Sequence, residues 1–473
     1  MTILNTPQYR KLVQDNRIVA KFEAALFPEL MFRDDAKAEA WGEQSGDSKV
    51  FTGNGLMPVT TGEVLPLAEP DLIGYSREQW TAQMRKWGKA HDSHTPTSAA
   101  AAIKTITDDL DTLAKNAGQT INRVCRKVLF NAALYGNTVA DGTQATVTTV
   151  RVKRLNGFTR ARRPDLVAGA QVRFEAVSNN NPLRIRYGNT LASAVNVIGY
   201  TPDFANDEIG PGTITVDAAI SVTDRDAIVA DSASWMRRSG GGYRVDDIGN
   251  TDKLAFADMR AALARLASMD VPRHADGNYH GYMTPISKDQ IFGDAEWRQL
   301  HETLPDGLAY SNFVLGKKLG CIWYDNNENP QVSNVNIPNG STDGATGDNY
   351  TPLREAFAGE LYPTGTPTAA VGKIQRVLVT GGEYLREYYV DQDSYITEAG
   401  TTGKISEAPK MGNGSVEIMA QRVKIIQRAP IDRWQEVVSQ AWRYVGDFIV
   451  RTDAATGDGA YHKRGVVIEH IEV

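Results

Sequence analysis

The stretch from Ser98 to Tyr135 contains no proline and a single glycine, Gly118, and no other feature constrains the fold as much. Apolar residues recur within it at Ile103, Ile106, Leu110, Leu113, Ala117, Ile121, Val124 and Val128, always three or four apart. That spacing predicts one continuous amphipathic helix, roughly 55 Å long at ~1.5 Å per residue, well beyond the ~11–12 residue mean of globular helices. Asp108, Asp109 and Asp111 fall in its first half, and Arg123, Arg126 and Lys127 in its second, the order that favours a helix dipole. The opposite face is polar, so the helix is no membrane span. A helix this long with a single apolar seam predicts a girder with something flat laid against it.

A chain of 473 residues has room for two to four domains and a sizeable core. Its net charge of −6 argues against wrapping nucleic acid over the whole surface. The cysteines, Cys125 and Cys321, are far apart, and Cys125 falls on the long helix, so free buried thiols and a fold that needs no disulfide are expected. Met1 to Tyr9 lacks a basic region followed by an apolar core, and no window is apolar for 18 residues. Neither a signal peptide nor a transmembrane helix is expected, and synthesis in a cytoplasm follows.

Residues 1–41 read as an arm in which Leu12, Val13, Ile18, Val19, Phe22, Ala25 and Leu26 form a short amphipathic helix ended by Pro28. In residues 42–96, glycines 42, 46, 53, 55 and 62 and prolines 58, 66 and 70 exclude a long helix. Val50-Phe51 and Val64-Leu65-Pro66-Leu67 read as extended, whereas Tyr75 to Trp87 fits strand or helix. So long a segment without its own core is out of place in a compact domain and makes sense as a protruding loop covered by another subunit. The girder's domain occupies 97–144. From 145 to 230 short alternating runs (Thr146–Val152, Val172–Phe174, Leu183–Ile185, Val195–Val197, Ile214–Val216) predict a small inserted β-domain. In 231–473 a helix is expected over Phe256–Met269, capped by Thr251 or Asp252, and another over Phe292–Leu300. Strands are expected at Gly320–Tyr324, Ile374–Thr380, Val416–Gln427 and Val466–Val473, a loop at 325–350, and a helix through Trp434, Val437, Val438, Trp442 and Val445.

Candidate chemistry is thin. Asp325, Asn327 and Asn329 match the first ligands of a calcium loop, but Pro330 stands where the turn needs glycine and Asn336 where the loop needs glutamate. His91 and His94 have a metal-like spacing with no third ligand nearby and read as a surface pair in a turn. Gly240-Gly241-Gly242 and Gly53-x-Gly55 lack the lysine and the strand–helix frame of a phosphate cradle and read as hinges. Arg151, Lys153, Arg154, Arg160, Arg162 and Arg163 form the strong basic cluster, read as a solvated or intersubunit salt-bridging patch. No nucleophile elbow occurs, and a pair of glycosidase carboxylates is not excluded by pattern alone. No catalytic residue, cofactor or metal is predicted.

An arm, a long two-stranded loop, a very long helix and a mixed remainder come in the order seen in the major capsid protein of tailed double-stranded DNA phages, the Hong Kong ninety-seven-type (HK-type) fold, which the chain resembles. Gly62-Glu63-Val64-Leu65-Pro66 resembles the outgoing strand of that family's extended loop, and Trp87-Gly88-Lys89-Ala90 its return. Tyr279-His280-Gly281-Tyr282-Met283-Thr284-Pro285, Asp294-Ala295-Glu296-Trp297 and Gly320-Cys321-Ile322-Trp323-Tyr324 resemble axial-domain text. The resemblance implies an α+β HK-type phage capsid fold with an inserted small β-domain. It implies a non-enzymatic coat protein assembling as hexamers and pentamers of an icosahedral head around double-stranded DNA, in the virion. It also implies a portal protein and room for a decoration protein. With the loop starting near residue 45 there is no room for a fused scaffold, so a separate scaffolding protein is expected. Intersubunit contacts are assigned to Phe51, Met57, Val64, Leu65, Trp80 and Trp87. Lys49, Lys86 and Lys89 lie on the loop, but no crosslink acceptor can be matched to them. The rival readings are an encapsulin-like nanocompartment shell and a polysaccharide-active enzyme.

Overall fold

The computed structural model describes residues 31–41, 48–54, 77–94, 102–163, 173–205, 208–224, 226–243, 247–249, 251–302, 315–326, 329–330, 332–333, 373–390, 416–420, 422–428, 437–453 and 462–472. The chain divides into two units: Met1–Phe51, Thr81–Arg126 and Leu385–Ile449 form the first, and Thr52–Trp80, Lys127–Tyr384 and Val450–Val473 the second. Strands outnumber helices in a mixed α+β architecture.

The girder is there, as a 32-residue helix over Ala102–Ala133. In the first unit Leu113, Ala114, Ala117, Ile121 and Cys125 are buried along one stripe, while Val124 is only half-buried. Arg126, expected on the polar face, is 1% exposed. Asn116 and Asn122 border the stripe: Asn116 Oδ1 accepts from the Trp442 indole at 3.2 Å, and Asn122 Oδ1 from the Phe32 backbone N–H at 3.0 Å. Ile103, Ile106 and Leu110 have side chains outside the described set, as do the arm helix at Leu12–Leu26 and the strand at Val64–Leu67.

The flat partner in the first unit is a six-stranded sheet. Lys37–Ala40 runs parallel to Leu385–Tyr389, followed in order by Val437–Val450, Val423–Arg428 and Val416–Ala420. Arg85–His94 pairs antiparallel with Val437–Gly446. The helix expected through Trp434, Val437, Val438, Trp442 and Val445 is therefore a strand from Val437 onward, Trp434 lying outside the described residues. Its burial has period two, with Gln440, Trp442, Tyr444, Gly446, Phe448 and Val450 buried and their neighbours half-buried. The same residues fit both periods over a short window, and the β-branched and aromatic content fits a pleated surface better.

The second unit contains two large sheets, besides the two-stranded pair Arg160–Arg163 with Arg173–Ala176. Six antiparallel strands run in the order Asn137–Val139, Ala227–Ala230, Leu183–Tyr187, Ser193–Pro202, Gly212–Val222, Gln144–Val152. A bridge between Ala140 and Val152, with Lys153 N–H donating to Val139 O at 3.1 Å, joins the first strand to the last and closes a small barrel. Val150, Val152, Phe158, Ile185, Val197, Ile214, Val216 and Ile228 fill it. The other sheet has seven strands. Met236–Arg238 is at its edge, then Gly465–Ile471, Lys373–Thr380, Tyr279–Met283, Cys321–Asp325 and Lys317–Lys318, with Val332–Ser333 pairing to Lys373–Thr380. Gly465–Ile471 is buried at every residue. Helices Phe256–Ser268, Pro285–Gly293 and Ala295–Glu302 belong to this unit, and Leu263, Leu266, Met283, Phe292 and Trp297 pack into its core with Val377 and Ile468.

Two local expectations need correction. The N-cap of Phe256–Ser268 is Ala255 rather than Thr251 or Asp252. Its first amide, Phe256 N–H, donates to Asp294 Oδ2 at 2.7 Å, and just before the cap Leu254 N–H donates to Gln290 Oε1 at 2.8 Å. Asp252 instead accepts from Gly249 N–H at 2.7 Å. The helix expected over Phe292–Leu300 is two helices broken at Asp294, whose backbone is extended.

Candidate assembly surfaces

Among the described residues, Ser48–Asn54 and Arg77–Gln83 pair only with each other, as a two-stranded ribbon. One face is anchored in the first unit: Ala82 is fully buried, and Phe51 stacks on Tyr388 with ring centroids 3.7 Å apart. Gln83 N–H donates to Asp447 Oδ2 at 3.0 Å, and burial raises the carboxyl pKa of Asp447. The other face, including Thr52, Thr81 and Val50, is open; Val50 is 55% exposed. The following strand is barer still, with Arg85, Lys86, Gly88, Lys89, Ala90, His91 and Asp92 all exposed. A two-stranded ribbon is marginal alone in water, so an open face carrying an exposed valine on one calls for a cover.

The six residues assigned to contacts with other copies scatter. Phe51 packs on Tyr388; Trp87 lies 5.7 Å from the Tyr444 ring and 6.4 Å from that of Phe448. In the second unit the Trp80 indole donates to Thr452 Oγ1 at 2.9 Å. All three side chains remain half-buried. Met57, Val64 and Leu65 lie outside the described residues.

Buried ion clusters lock each unit. In the first, Glu387 is fully buried and accepts from Arg33 at 2.7 Å, Arg422 at 2.6 Å and the Tyr444 hydroxyl at 2.9 Å. Arg33 sits beside the short strand Lys37–Ala40, so this cluster fastens the end of the N-terminal segment to the sheet. In the second, Glu469 accepts from Arg238 and Arg376, each at 2.9 Å. Burial works to raise the Glu469 carboxyl, and the two guanidiniums outweigh it, leaving a lowered pKa. Sequence spacing could not reveal either cluster, because the partners are 35 to 354 residues apart in the first and 93 to 231 in the second.

The candidate chemical motifs resolve into structure. Among the Ca²⁺-like residues, Asp325 pairs with Lys288, and buried Asn329 donates to Tyr282 O and Arg376 O, both at 2.9 Å. Asn327 lies outside the described residues. His91 and His94 are on one strand rather than in a turn, and the side chain of His94 is outside the described set. Gly240, Gly241 and Gly242 have φ of +80°, +92° and +83°, a left-handed run that L side chains resist. The basic cluster pairs within the chain: Arg151 with Asp141 and Asp203 at 2.8 Å, Lys153 with Asp141 at 2.7 Å, and Arg160 with Glu208 at 3.4 Å. Arg154 is fully buried, donating to Asn131 Oδ1 at 2.6 Å. The side chains of Arg162 and Arg163 are outside the described set.

One nucleophile–base pair was not foreseen. Ser287 Oγ lies 2.8 Å from His470 Nε2, and also 2.8 Å from Thr284 Oγ1, the N-cap of Pro285–Gly293. Both Ser287 and His470 are fully buried, and burial lowers the imidazole pKa to about 4. A neutral ring with no opening to solvent braces a helix cap; it does not activate a hydroxyl toward substrate.

No family model matches the chain, and no curated protein matches it. Among solved structures it is similar to the capsid of Ralstonia phage GP4, with 10% identity and a TM-score of 0.45 over 93% of this chain and 90% of that one. It is also similar to the Cyanophage Pam1 capsid asymmetric unit, with 10% identity and a TM-score of 0.46 over 93% and 89% of the two chains. The asymmetric unit of the bacteriophage PhiM1 mature capsid compares at 7% identity and a TM-score of 0.43, over 93% and 87%.

Proposed function

We propose that this chain is the major coat subunit of an HK-type icosahedral phage head: a non-enzymatic shell protein that forms hexamers and pentamers around double-stranded DNA. The observation that carries the reading is the bare ribbon with its continuing strand. Val50 and Met84 are 55% and 38% exposed on elements that bury little in a lone chain. Burial reserved for a second copy turns folding free energy into shell free energy. Residues 42–96 are then the extended loop lying on a neighbour, 1–41 the strap, Ala102–Ala133 the girder, and the barrel, starting at Asn137 rather than 145, the inserted module. A separate scaffolding protein, a portal and packaged DNA are the partners this reading calls for, and the barrel is where a decoration protein would sit. The interior need not be basic, because packaged DNA carries its counterions.

Val50→Asp combined with Met84→Asp tests this. Both sites are exposed, so the subunit's circular dichroism and melting temperature should stay those of wild type. Electron microscopy of purified wild-type protein should show polyhedral particles or hexameric rings, and the double variant should remain as free subunits. Wild-type protein that stays monomeric at every concentration, or a double variant that assembles normally, would overturn the proposal.

A further inference from the structure

We infer that a groove in the second unit binds an acidic peptide in extended conformation. The groove, of about 920 Å³, opens where the barrel strand Ala227–Ala230 gives way to Met236–Arg238. That volume falls in the range of ligand clefts and admits a single strand of chain rather than a duplex.

Charge, strand edge and wall composition all point to this occupant. Arg186, Arg237 and Arg265 line the groove, against one lining carboxylate, Asp231. Arg186 is 61% exposed and meets Asp231 only at 3.8 Å. Arg237 spends its Nε on Asp258 at 2.9 Å, which leaves its terminal nitrogens outside that bond. Arg265 is exposed. In a chain of net charge −6 this is a local reversal of sign, and guanidiniums take carboxylates in strong paired hydrogen bonds.

The backbone supplies the second observation. Met236–Arg238 ends the seven-stranded sheet: it pairs with Gly465–Ile471 on one side, and no strand is described on the other. Arg238 O at its end already accepts from Gly241 N–H at 3.1 Å; the remainder of the edge, along an open groove, has the geometry for strand addition, in which main-chain bonds give affinity and alternate side chains give specificity. Trp235, Met236 and Tyr243, the last 49% exposed, line the same groove and offer apolar and aromatic contact to the alternate residues. Gly241 and Gly242 form part of the wall without side chains, held in place by Arg238 donating to Tyr243 O at 2.6 Å. Single-stranded nucleic acid could use the arginines and Tyr243, but it has no use for a strand edge, so the peptide is the better fit.

Fluorescence anisotropy on the full-length purified protein tests this inference, with a labelled decapeptide of alternating glutamate and valine as probe. Binding should saturate and weaken as salt rises. Arg186→Gln and Arg265→Gln, both at exposed positions, should each raise Kd about tenfold with an unchanged melting temperature. A probe N-methylated at alternate residues should bind at least about fivefold more weakly, because it cannot complete the edge. No saturable binding at low salt, a Kd indifferent to both variants, or displacement by a thymidine decamer at lower concentration than by unlabelled peptide would each overturn the proposal. Shell assembly is not needed for any of these readings, so failure here leaves the coat-protein reading standing.

Discussion

Glu387→Gln is the most informative single change in the first unit. Glutamine keeps the volume and removes the charge at a fully buried position that faces Arg33, whose side chain is 5% exposed, and Arg422, whose side chain is 39% exposed. Breaking one partner of a buried pair costs about 3–5 kcal/mol, because it strands the opposite charge. Arg422 can rehydrate and Arg33 cannot, so the cost should sit near 3 kcal/mol and centre on Arg33. Since two units need not unfold together, a local measurement suits better than a global melt. Native-state hydrogen exchange should show amides of 31–41 and 385–390 opening about a hundredfold more often, which corresponds to roughly 3 kcal/mol. The double variant Arg33→Met with Glu387→Gln removes both charges and should recover at least about half of that loss. If Glu387→Gln changes exchange by less than about 0.5 kcal/mol, or the double variant is simply additive, the cluster does not fasten the N-terminal segment as described.

Three further outcomes follow from burial. His470 has a pKa lowered by burial from 6.5 to about 4, so the unfolded chain takes up the proton first; its stabilising effect is full above pH 6.5 and is lost as pH falls toward 4, about 3 kcal/mol in all, and His470→Gln should flatten that part of a urea-midpoint profile. At Gly281 an added Cβ would overlap the Trp323 ring, so Gly281→Ala should cost about 1–3 kcal/mol in denaturant titrations, with part of it regained when Trp323 is changed to leucine. Cys125 and Cys321 are both fully buried, and burial holds the Cys125 thiol well above its ordinary pKa, so mass spectrometry should find neither alkylated by iodoacetamide in the native state and both alkylated in urea.

What the sequence made legible was periodic and local. The helix over Ala102–Ala133 repeats its pattern for many turns, and the barrel strands announce themselves by alternation between turn residues. Trp434 to Val445 misled because a few apolar residues at mixed spacing satisfy two periods, and only partner strands such as Val423–Arg428 and Arg85–His94 decide between them. At the start of Phe256–Ser268 the Phe256 N–H is taken by Asp294, 38 positions away, a contact that sequence spacing does not show. Glu387 and Glu469 carried no signal either, because a buried carboxylate looks like any other until its arginines are placed in space. The basic cluster was readable in kind, but its carboxylate partners Asp141, Asp203 and Glu208 lie within the same chain.

The barrel has one further consequence. Its entry strand Asn137–Val139 pairs with its exit strand Ala227–Ala230, and Gly136 O receives the N–H of Ala230 at 2.8 Å. To the rest of the unit, almost a hundred residues therefore occupy a single doorway. The hairpin between Pro202 and Gly212 is tied back toward that threshold through Leu155 N–H to Gly210 O at 2.8 Å, so such a cassette is best shortened, exchanged or enlarged at the hairpins away from it. Foreign peptides spliced there would inherit a rigid pedestal, and lineages could vary this appendage rapidly while the girder and its sheet stay put.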